Sequence, residues 1–198
     1  MTAQHVWREC ALSLAASCST HYNRPDTMTA AEVLIRDATP ADIPDIVRIY
    51  AYAVLHTVAT LDTEEPTVAS QTEWFEHHDR QHPVFVAVRA DEVVGWSSLS
   101  AWSTKAGYSG TAEASVYVSP DYFGRGIGRM LLRELVNRAR SIGLHVLLAR
   151  ISTSNETSLK LTESCGFNRV GTMRETGFKF GDYVDVEILQ LILDGART

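Results

Sequence analysis

Apolar and polar positions change their spacing several times along the chain, and these changes predict strands that alternate with helices. Residues 84–88 and 93–100 are rich in strand-forming side chains, and the polar link 89–92 between them predicts a β-hairpin. Between Ile127 and Ala139, apolar residues recur at intervals of three and four, which predicts an amphipathic helix. The alternation predicts a mixed α/β fold with helices packed on a central sheet.

The same patterns predict the remaining elements. Thr39 is a suitable N-cap for the first helix, and Gly143 and Gly166 are suitable C-terminal residues for two others. The further strands are predicted at 33–35, 114–118, 146–151, 170–174 and 184–193, and the further helices at 40–55, 68–80 and 155–165.

Charge and cysteine content exclude several classes of function. The chain has 198 residues, a formal net charge of −6 and no basic run, which argues against a nucleic-acid partner. No apolar run approaches the roughly 20 residues of a membrane span, so no membrane association is expected. Cys10, Cys18 and Cys165 lack metal-ligand spacing, so we expect no metal, reduced thiols and a cytoplasmic protein.

One domain is expected over residues 32–195, preceded by an N-terminal extension at residues 1–31 that lacks strand alternation. Residues 11–18 faintly resemble a lipoprotein signal, but their apolar part is short and Arg8–Glu9 replaces a basic segment. A plain extension, or translation that starts at Met28, is the preferred interpretation.

Three glycines at alternate positions, Gly124, Gly126 and Gly128, lie between the predicted strand at 114–118 and the helix from Ile127. Their backbone N–H groups can converge, and the helix start adds the positive end of its dipole, so the loop is a candidate phosphate cradle. It is not a Walker loop, because neither Lys nor Ser/Thr follows, and its spacing differs from the dinucleotide fingerprint. A glycine-rich turn without a ligand is the alternative.

The loop Phe123–Gly128 resembles the pyrophosphate loop of the GCN5-related N-acetyltransferases, with Phe123 in place of the usual first residue. From Ile35 to about Leu191, the chain is similar to the phosphinothricin acetyltransferase branch. The matching segments are 35–42, 63–66, 73–74, 95–96, 113–118, 165–167, 177–181 and 185–186, together with Asn155. The resemblance implies a sheet of about seven strands splayed at the Tyr117 strand, acetyl-CoA as cosubstrate, a small primary amine as acceptor, and a homodimer.

The resemblance also implies where acetyl-CoA binds. The backbone of residues 116–118 would pair with the pantetheine arm, the glycine loop would hold the pyrophosphate, and Asn155 would either contact the arm or serve only as an N-cap. The cofactor-binding residues predicted in this way are Val116, Tyr117, Val118, Phe123, Gly124, Arg125, Gly126, Ile127, Gly128, Arg129, Asn155 and Ser158.

Glu113 is the predicted general base, because it lies where the family strand carries its catalytic glutamate; a surface residue is the alternative. An amine must be neutral to attack a thioester, and most primary amines are protonated near pH 7. Family members usually place a histidine at Thr162, and threonine cannot replace it as an acid. Water or Tyr117 would then assist the leaving thiolate, or the thiolate would leave unaided. Cys165 is predicted to be a structural thiol.

Lys105 and Tyr108 are in register with family residues that hold a substrate carboxylate, and Trp102 lies in the same loop. Ser109–Gly110 replaces a bulkier pair, which indicates a wider pocket; a solvated Lys105 is the alternative. We predict direct acetyl transfer to an amino-acid-like amine of the phosphinothricin or methionine sulfoximine type. The alternatives are a polyamine or protein N-terminal acetyltransferase, and a non-catalytic acyl-CoA-binding sensor.

Overall fold

The computed structural model describes residues 33–193, in which the predicted strands join into one sheet with helices packed on it. The strands are β1 (Leu34–Asp37), β2 (Val84–Arg89), β3 (Glu92–Ala101), β4 (Thr111–Val118), β5 (Val146–Ser152), β6 (Asn168–Lys179) and β7 (Asp182–Ile192). The helices are α1 (Ile43–His56), α2 (Val68–Glu76), α3 (Ile127–Ser141) and α4 (Glu156–Glu163). The predicted mixed α/β fold with a sheet of about seven strands is confirmed.

The sheet opens in its middle. Its strand order is β1-β2-β3-β4-β5-β7-β6, and only the central neighbours β4 and β5 run parallel. These two strands pair only over Thr111–Glu113. β4 continues beside β3 as far as Val118, so its second half diverges from β5. The implied splay is therefore present, and it begins directly after Glu113.

Different helices cover the two faces of the sheet. α3 packs its apolar stripe on one face, with Leu131 and Leu135 fully buried. α1 covers the other face, where Ile46 and Ile49 pack in a second cluster with Trp96. Burying one such side chain contributes roughly 1.5–3 kcal/mol. The two clusters therefore fix β3, and β4 beside it, from both sides of the sheet.

A buried carboxylate ties the start of α1 to the edge strand β1. Asp42 accepts two hydrogen bonds from Arg36, at 2.7 and 2.8 Å, and two from Thr39, whose N–H and hydroxyl lie at 2.7 and 2.9 Å. The bond from Arg36 is the main cause that holds the pKa of Asp42 below its usual value. A 3-10 turn at Pro40–Asp42 follows Thr39, so α1 begins at Ile43 instead of directly after the predicted cap.

Several element boundaries differ from the predicted ones; β4, for example, begins at Thr111 instead of residue 114. Three other differences have local reasons. α2 ends at Glu76 instead of residue 80, because the Asp79 side chain accepts two backbone N–H groups and forms a turn. β2 and β3 are joined by the two residues Ala90–Asp91, both with positive φ, instead of four. β6 extends to Lys179, because it pairs with β7 up to the turn at Phe180–Gly181.

The predicted extension at residues 1–31, with Cys10 and Cys18, lies outside the described residues, as do residues 32 and 194–198. The domain limits at residues 32 and 195 therefore stay predictions. Within residues 33–193, we find no helix that is both long and apolar enough to cross a membrane.

Candidate active site

Glu113 lies at the apex of the splay, and its carboxylate is paired. Arg150 on β5 donates Nε–H to Glu113 Oε1 at 2.6 Å and an Nη2–H to Oε2 at 2.7 Å. The Glu113 side chain is 17% exposed and the Arg150 side chain 51%. The hydrogen bond to Glu113 raises the pKa of Arg150 above its usual value. Glu113 is thus a largely enclosed carboxylate held by a more exposed cation, and its function as a base stays a prediction.

The second half of β4 presents backbone groups to the gap. At the two ends of β4, the Thr111 carbonyl accepts from the Trp102 N–H and the Ser119 N–H donates to the Val94 carbonyl. The peptide groups of the odd-numbered residues along β4 therefore face β3. Because successive residues of a strand point their peptide groups to opposite sides, the groups of Val116 and Val118 face the gap. Those of Tyr117 face β3. An extended ligand in the gap can therefore pair with Val116 and Val118, whereas Tyr117 would contact it only through its side chain.

The glycine loop follows the open end of β4. Gly124 and Gly126 have φ of 74° and 80°, and a Cβ on either would meet no atom within 4 Å, so both serve the turn and leave space beside it. The first hydrogen bond of α3 runs from the Met130 N–H to the Gly126 carbonyl at 3.1 Å. The N–H groups of residues 127–129 precede that bond and can receive an anion. This geometry fits the pyrophosphate of acetyl-CoA.

The other predicted loop residues differ in what they offer a ligand. Phe123 and Arg129 are exposed, whereas Ile127 is buried in the core and offers only its backbone. The Arg125 guanidinium lies over the Tyr122 ring, 5.3 Å from its centroid. Direct contacts of these side chains with a cosubstrate stay predictions.

α4 packs against the start of α3 beside the loop. A Cβ on Gly128 would lie only 2.8 Å from Cδ1 of Leu161, so this glycine serves the close approach of the two helices. Asn155 caps α4, because its side-chain oxygen accepts the Ser158 N–H at 3.1 Å. The N-cap alternative for Asn155 is therefore present. Contacts of Asn155 and Ser158 with acetyl-CoA stay predictions.

Tyr117 lies on the same face of β4 as Glu113, because the two residues are four positions apart on one strand. Its ring packs against Trp96 and Tyr50, with centroid distances of 4.7 and 5.0 Å. Burial raises the pKa of Tyr117 to about 12, against the opposing effect of a hydrogen bond with Thr60. The hydroxyl is therefore protonated at neutral pH and can donate a hydrogen bond.

The loop between α1 and α2 and the β6–β7 hairpin add polar groups near Tyr117. The Tyr50 hydroxyl donates to Asp62 at 2.6 Å and lies 2.9 Å from the Thr60 hydroxyl. Lys179, only 4% exposed, donates from Nζ to the Thr60 carbonyl at 2.8 Å. Burial lowers the pKa of Lys179. The hairpin is thus fastened to the loop, and Tyr117 contacts hydroxyl groups fixed by that loop.

The predicted substrate residues separate into two groups. Trp102 lies beside the apex, with its ring centroid 5.8 Å from the guanidinium carbon of Arg150. Lys105 and Tyr108 border an exposed 3-10 turn, and both side chains face solvent. The structure therefore brings Trp102 to the Glu113–Arg150 pair, whereas a substrate contact of Lys105 or Tyr108 stays a prediction.

The adjacent residues His77 and His78 near the end of α2 do not share a helix face, so the sequence predicts solvated side chains instead of a metal pair. This prediction is wrong for His78. His77 is exposed, but the His78 ring packs on Trp74, with its Nδ1 2.8 Å from the Trp74 carbonyl and its Nε2 3.3 Å from the Ser100 hydroxyl. Burial lowers the pKa of His78, so the neutral ring donates to the carbonyl and accepts from Ser100. Ser100 is the β3 register partner of Glu113.

Thr162 and Cys165 both make contacts that support the fold. Thr162 is 4% exposed inside α4, and its carbonyl accepts the N–H groups of Cys165 and Phe167 at 3.0 and 3.4 Å. Cys165 is partly buried and packs against the main core, as expected of a structural thiol.

Within residues 33–193, no group of three or more His, Cys, Asp or Glu side chains could hold a metal ion.

Sequence reasoning missed Arg150, Asp62 and Lys179. One signal for Arg150 was available: it alternates with the apolar residues of the predicted strand at 146–151, so its side chain had to point away from the main core. Its partner was not readable, because Glu113 lies 37 residues away and only the β4–β5 register brings the two together.

Comparison with known proteins agrees with this geometry. A profile of the acetyltransferase (GNAT) family matches residues 48–167. The L-methionine sulfoximine/L-methionine sulfone acetyltransferase of Pseudomonas aeruginosa is 42% identical over 83% of this chain and 96% of its own. A ribosomal-protein-alanine N-acetyltransferase from Brucella melitensis is 40% identical, with a TM-score of 0.79 over 81% of this chain and 99% of its own. A phosphinothricin acetyltransferase from Sinorhizobium meliloti, solved with acetyl-CoA, is 34% identical, with a TM-score of 0.80 over 84% and 92%.

The splayed sheet, the glycine loop at its open end and these similarities together identify an acyltransferase. The chain belongs to the acetyltransferase (GNAT) family and is an N-acetyltransferase. The resemblance to the phosphinothricin acetyltransferase branch is confirmed.

Proposed function

We propose that the protein transfers the acetyl group of acetyl-CoA to the primary amine of a small amino-acid-like substrate, of the methionine sulfoximine or phosphinothricin type. The observation that carries the proposal is the position of Glu113 at the apex of the gap. The five residue-to-residue steps from Glu113 to Val118 span about 17 Å of strand. An extended arm anchored at the glycine loop would therefore reach Glu113 with its thioester end.

Glu113 is the proposed base, and the amine attacks the thioester directly. The carboxylate accepts the proton of the ammonium group, which gives the nitrogen the lone pair needed to form the amide bond. The C–S bond of the thioester then breaks, and the thiolate leaves with the electron pair. Tyr117 can donate a hydrogen bond to this thiolate, but its pKa of about 12 lies well above the ~8.5 of a typical thiol. As the amide forms, the nitrogen also loses its second proton, and water would relay this proton to the thiolate.

A protein N-terminal amine is the second candidate acceptor. The similarity to the Brucella melitensis ribosomal-protein-alanine N-acetyltransferase supports it. The similarity to the methionine sulfoximine acetyltransferase supports the smaller amine. The two candidates differ in the size of the acceptor, and a panel of acceptors separates them.

The test is a screen of amines with acetyl-CoA, followed by thiol release and by mass spectrometry of the product. The panel contains methionine sulfone, methionine sulfoximine, phosphinothricin, spermidine and a peptide that begins with alanine. We expect one of the amino-acid analogues to have the highest kcat/KM of the panel. Each thiol released should correspond to one molecule of N-acetylated product. Better turnover of spermidine or of the peptide would refute the assigned substrate class, and binding without any turnover would indicate a sensor.

We also propose that the protein is a homodimer that buries the tip of the β6–β7 hairpin. Phe178, Phe180 and Tyr183 are 57–68% exposed there, and Phe178 packs edge-on against Tyr183 at 5.3 Å. Aromatic side chains concentrated at one turn are unfavourable in water, and a second copy of the chain would cover them.

Light scattering at micromolar concentration tests the dimer. We expect a dimer for the wild type and a monomer for Phe180→Asp. The matched control is Leu34→Asp, which places the same charge at an equally exposed apolar position on the opposite edge strand. A wild-type monomer, or equal behaviour of the two variants, would remove the hairpin from any interface.

A further inference from the structure

The Glu113–Arg150 pair at the apex has charges complementary to those of an amino acid. We propose that Arg150 is the receptor for the substrate carboxylate, and that its capture by the substrate releases Glu113 to act as the base. The inference rests on the proposed function and names the residue that decides its substrate class. The base would then be available only when an acceptor with a carboxylate is bound.

The two partners differ in their freedom to separate. The Arg150 side chain is three times as exposed as that of Glu113, so the guanidinium is the partner that solvent and an incoming ligand can reach. Trp102 lies 5.8 Å from the guanidinium carbon and gives the cation a second support when its carboxylate partner changes. Arg150 can therefore exchange one carboxylate for another and keep its position.

The exchange conserves every charge contact. In the resting pair, Arg150 occupies both oxygens of Glu113 with two short hydrogen bonds, which compete with a proton for the same lone pairs. An amino acid carries a carboxylate and an ammonium group on one carbon atom. Its carboxylate would take the fork of Arg150 and its ammonium group would face Glu113, so no charge loses its partner on binding. A simple amine carries no group that can take Arg150 from Glu113.

Neither nearby lysine offers the same arrangement. Lys179 is buried, and its ammonium group is committed to the Thr60 carbonyl at 2.8 Å. Lys105 faces solvent beside the turn at 106–108. An arginine fork matches both oxygens of a carboxylate, whereas a lysine acts as a point charge. The geometry therefore favours Arg150 over the sequence-predicted Lys105 as the carboxylate receptor.

The test compares methionine sulfone with 3-(methylsulfonyl)propylamine, which is the same molecule without the carboxylate. For Arg150→Gln, we expect KM for methionine sulfone to rise at least ten-fold while kcat/KM for the decarboxylated amine rises. The matched control is Arg169→Gln, which removes an equally exposed arginine from its 2.7 Å pair with Glu163.

Several outcomes would overturn the inference. Arg150→Gln could lower kcat/KM for both amines by the same factor, or change neither, which would make the pair purely structural. Lys105→Ala could produce the expected split in place of Arg150→Gln, which would make Lys105 the receptor. If the wild type acetylates no amine, the proposed function fails separately. Calorimetry of methionine sulfone with the CoA-saturated protein then decides: binding by wild type but not by Arg150→Gln supports Arg150, and equal binding or none overturns it.

Discussion

Two arginine–carboxylate pairs, each with two hydrogen bonds, lie in two regions that are built differently. Arg36 and Asp42 join β1 to α1 in the closed part of the sheet, where Asp42 accepts two further hydrogen bonds from Thr39. Arg150 and Glu113 meet where β4 and β5 stop pairing. The carboxylate is enclosed in both cases, at 7% and 17% exposure.

The difference lies in the surroundings of each carboxylate. Asp42 is fixed by a loop and by a strand that remain together, so its pair can only stabilise the fold. Glu113 lies beside a gap and is held by a cation that solvent reaches. An arginine–carboxylate pair thus serves stability in a closed region and can serve chemistry in an opened one.

The largest expected effect is on turnover when Glu113 is changed. Glu113→Gln keeps the size and a hydrogen bond to Arg150 but cannot accept a proton. We expect kcat to fall by ~10² or more, which is the usual contribution of a positioned base. Acetyl-CoA affinity by calorimetry should stay near that of the wild type. A variant with near-normal turnover across pH would place Glu113 with Asp42 as a structural carboxylate.

The corresponding substitution in the closed region, Asp42→Asn, should lower the stability of the fold. Asp42→Asn removes the charge that Arg36 and Thr39 contact, and we expect the free energy of unfolding in urea to fall by about 2 kcal/mol, the range for hydrogen bonds to a charged group. Turnover per folded molecule should not change, since Asp42 lies far along the sheet from the gap. Loss of activity without loss of stability would break the contrast between the two regions.

Two glycine-to-alanine substitutions compare the two ends of α3. Gly126 and Gly143 have φ of 80° and 81°, and a Cβ on either would meet no atom within 4 Å. Alanine at either position should therefore destabilise the fold by a similar amount. Only Gly126→Ala should weaken acetyl-CoA binding, by about ten-fold or 1.4 kcal/mol. Calorimetry that gives equal affinities for the two variants would remove the glycine loop from the site.

The smallest expected effect is a pH dependence of stability. The folded pKa of Asp42 lies below its usual value of 3.8, so its contribution is present above the unfolded pKa and is lost as the pH falls through the folded one. The difference in unfolding free energy between wild type and Asp42→Asn should be constant above about pH 5. It should shrink below pH 3.8 by less than about 1.4 kcal/mol per pH unit, the limit for one proton. A difference that stays constant to pH 2 would contradict the pairing.

The elements set by neighbouring residues were predictable from the sequence. The strand, glycine loop and helix from Ala114 to Ser141 follow from local periodicity and from turn residues, and the structure contains all three, with the strand beginning earlier, at Thr111. The N-cap alternative for Asn155 came from the same kind of local signal, and the cap is present. These signals need only a window of a few residues.

The contacts that define the apex were not predictable, because they depend on strand register and on distant segments. Glu113 and Arg150 are 37 residues apart, and Thr60 and Lys179 are 119 residues apart. The burial of His78 depends on where α2 ends and on the ring of Trp74. A one-residue change of register between β4 and β5 would place Arg150 on the other face, and no local pattern reports that register.

The most direct test of the account is amide hydrogen exchange by NMR, with and without acetyl-CoA. The central claim is that the gap beyond Glu113 holds the extended arm against the edge of β4. We predict that the N–H groups of Val116 and Val118 become protected on binding, whereas that of Tyr117, already bonded to β3, changes little. Unchanged exchange at Val116 and Val118 under saturating acetyl-CoA would contradict the claim.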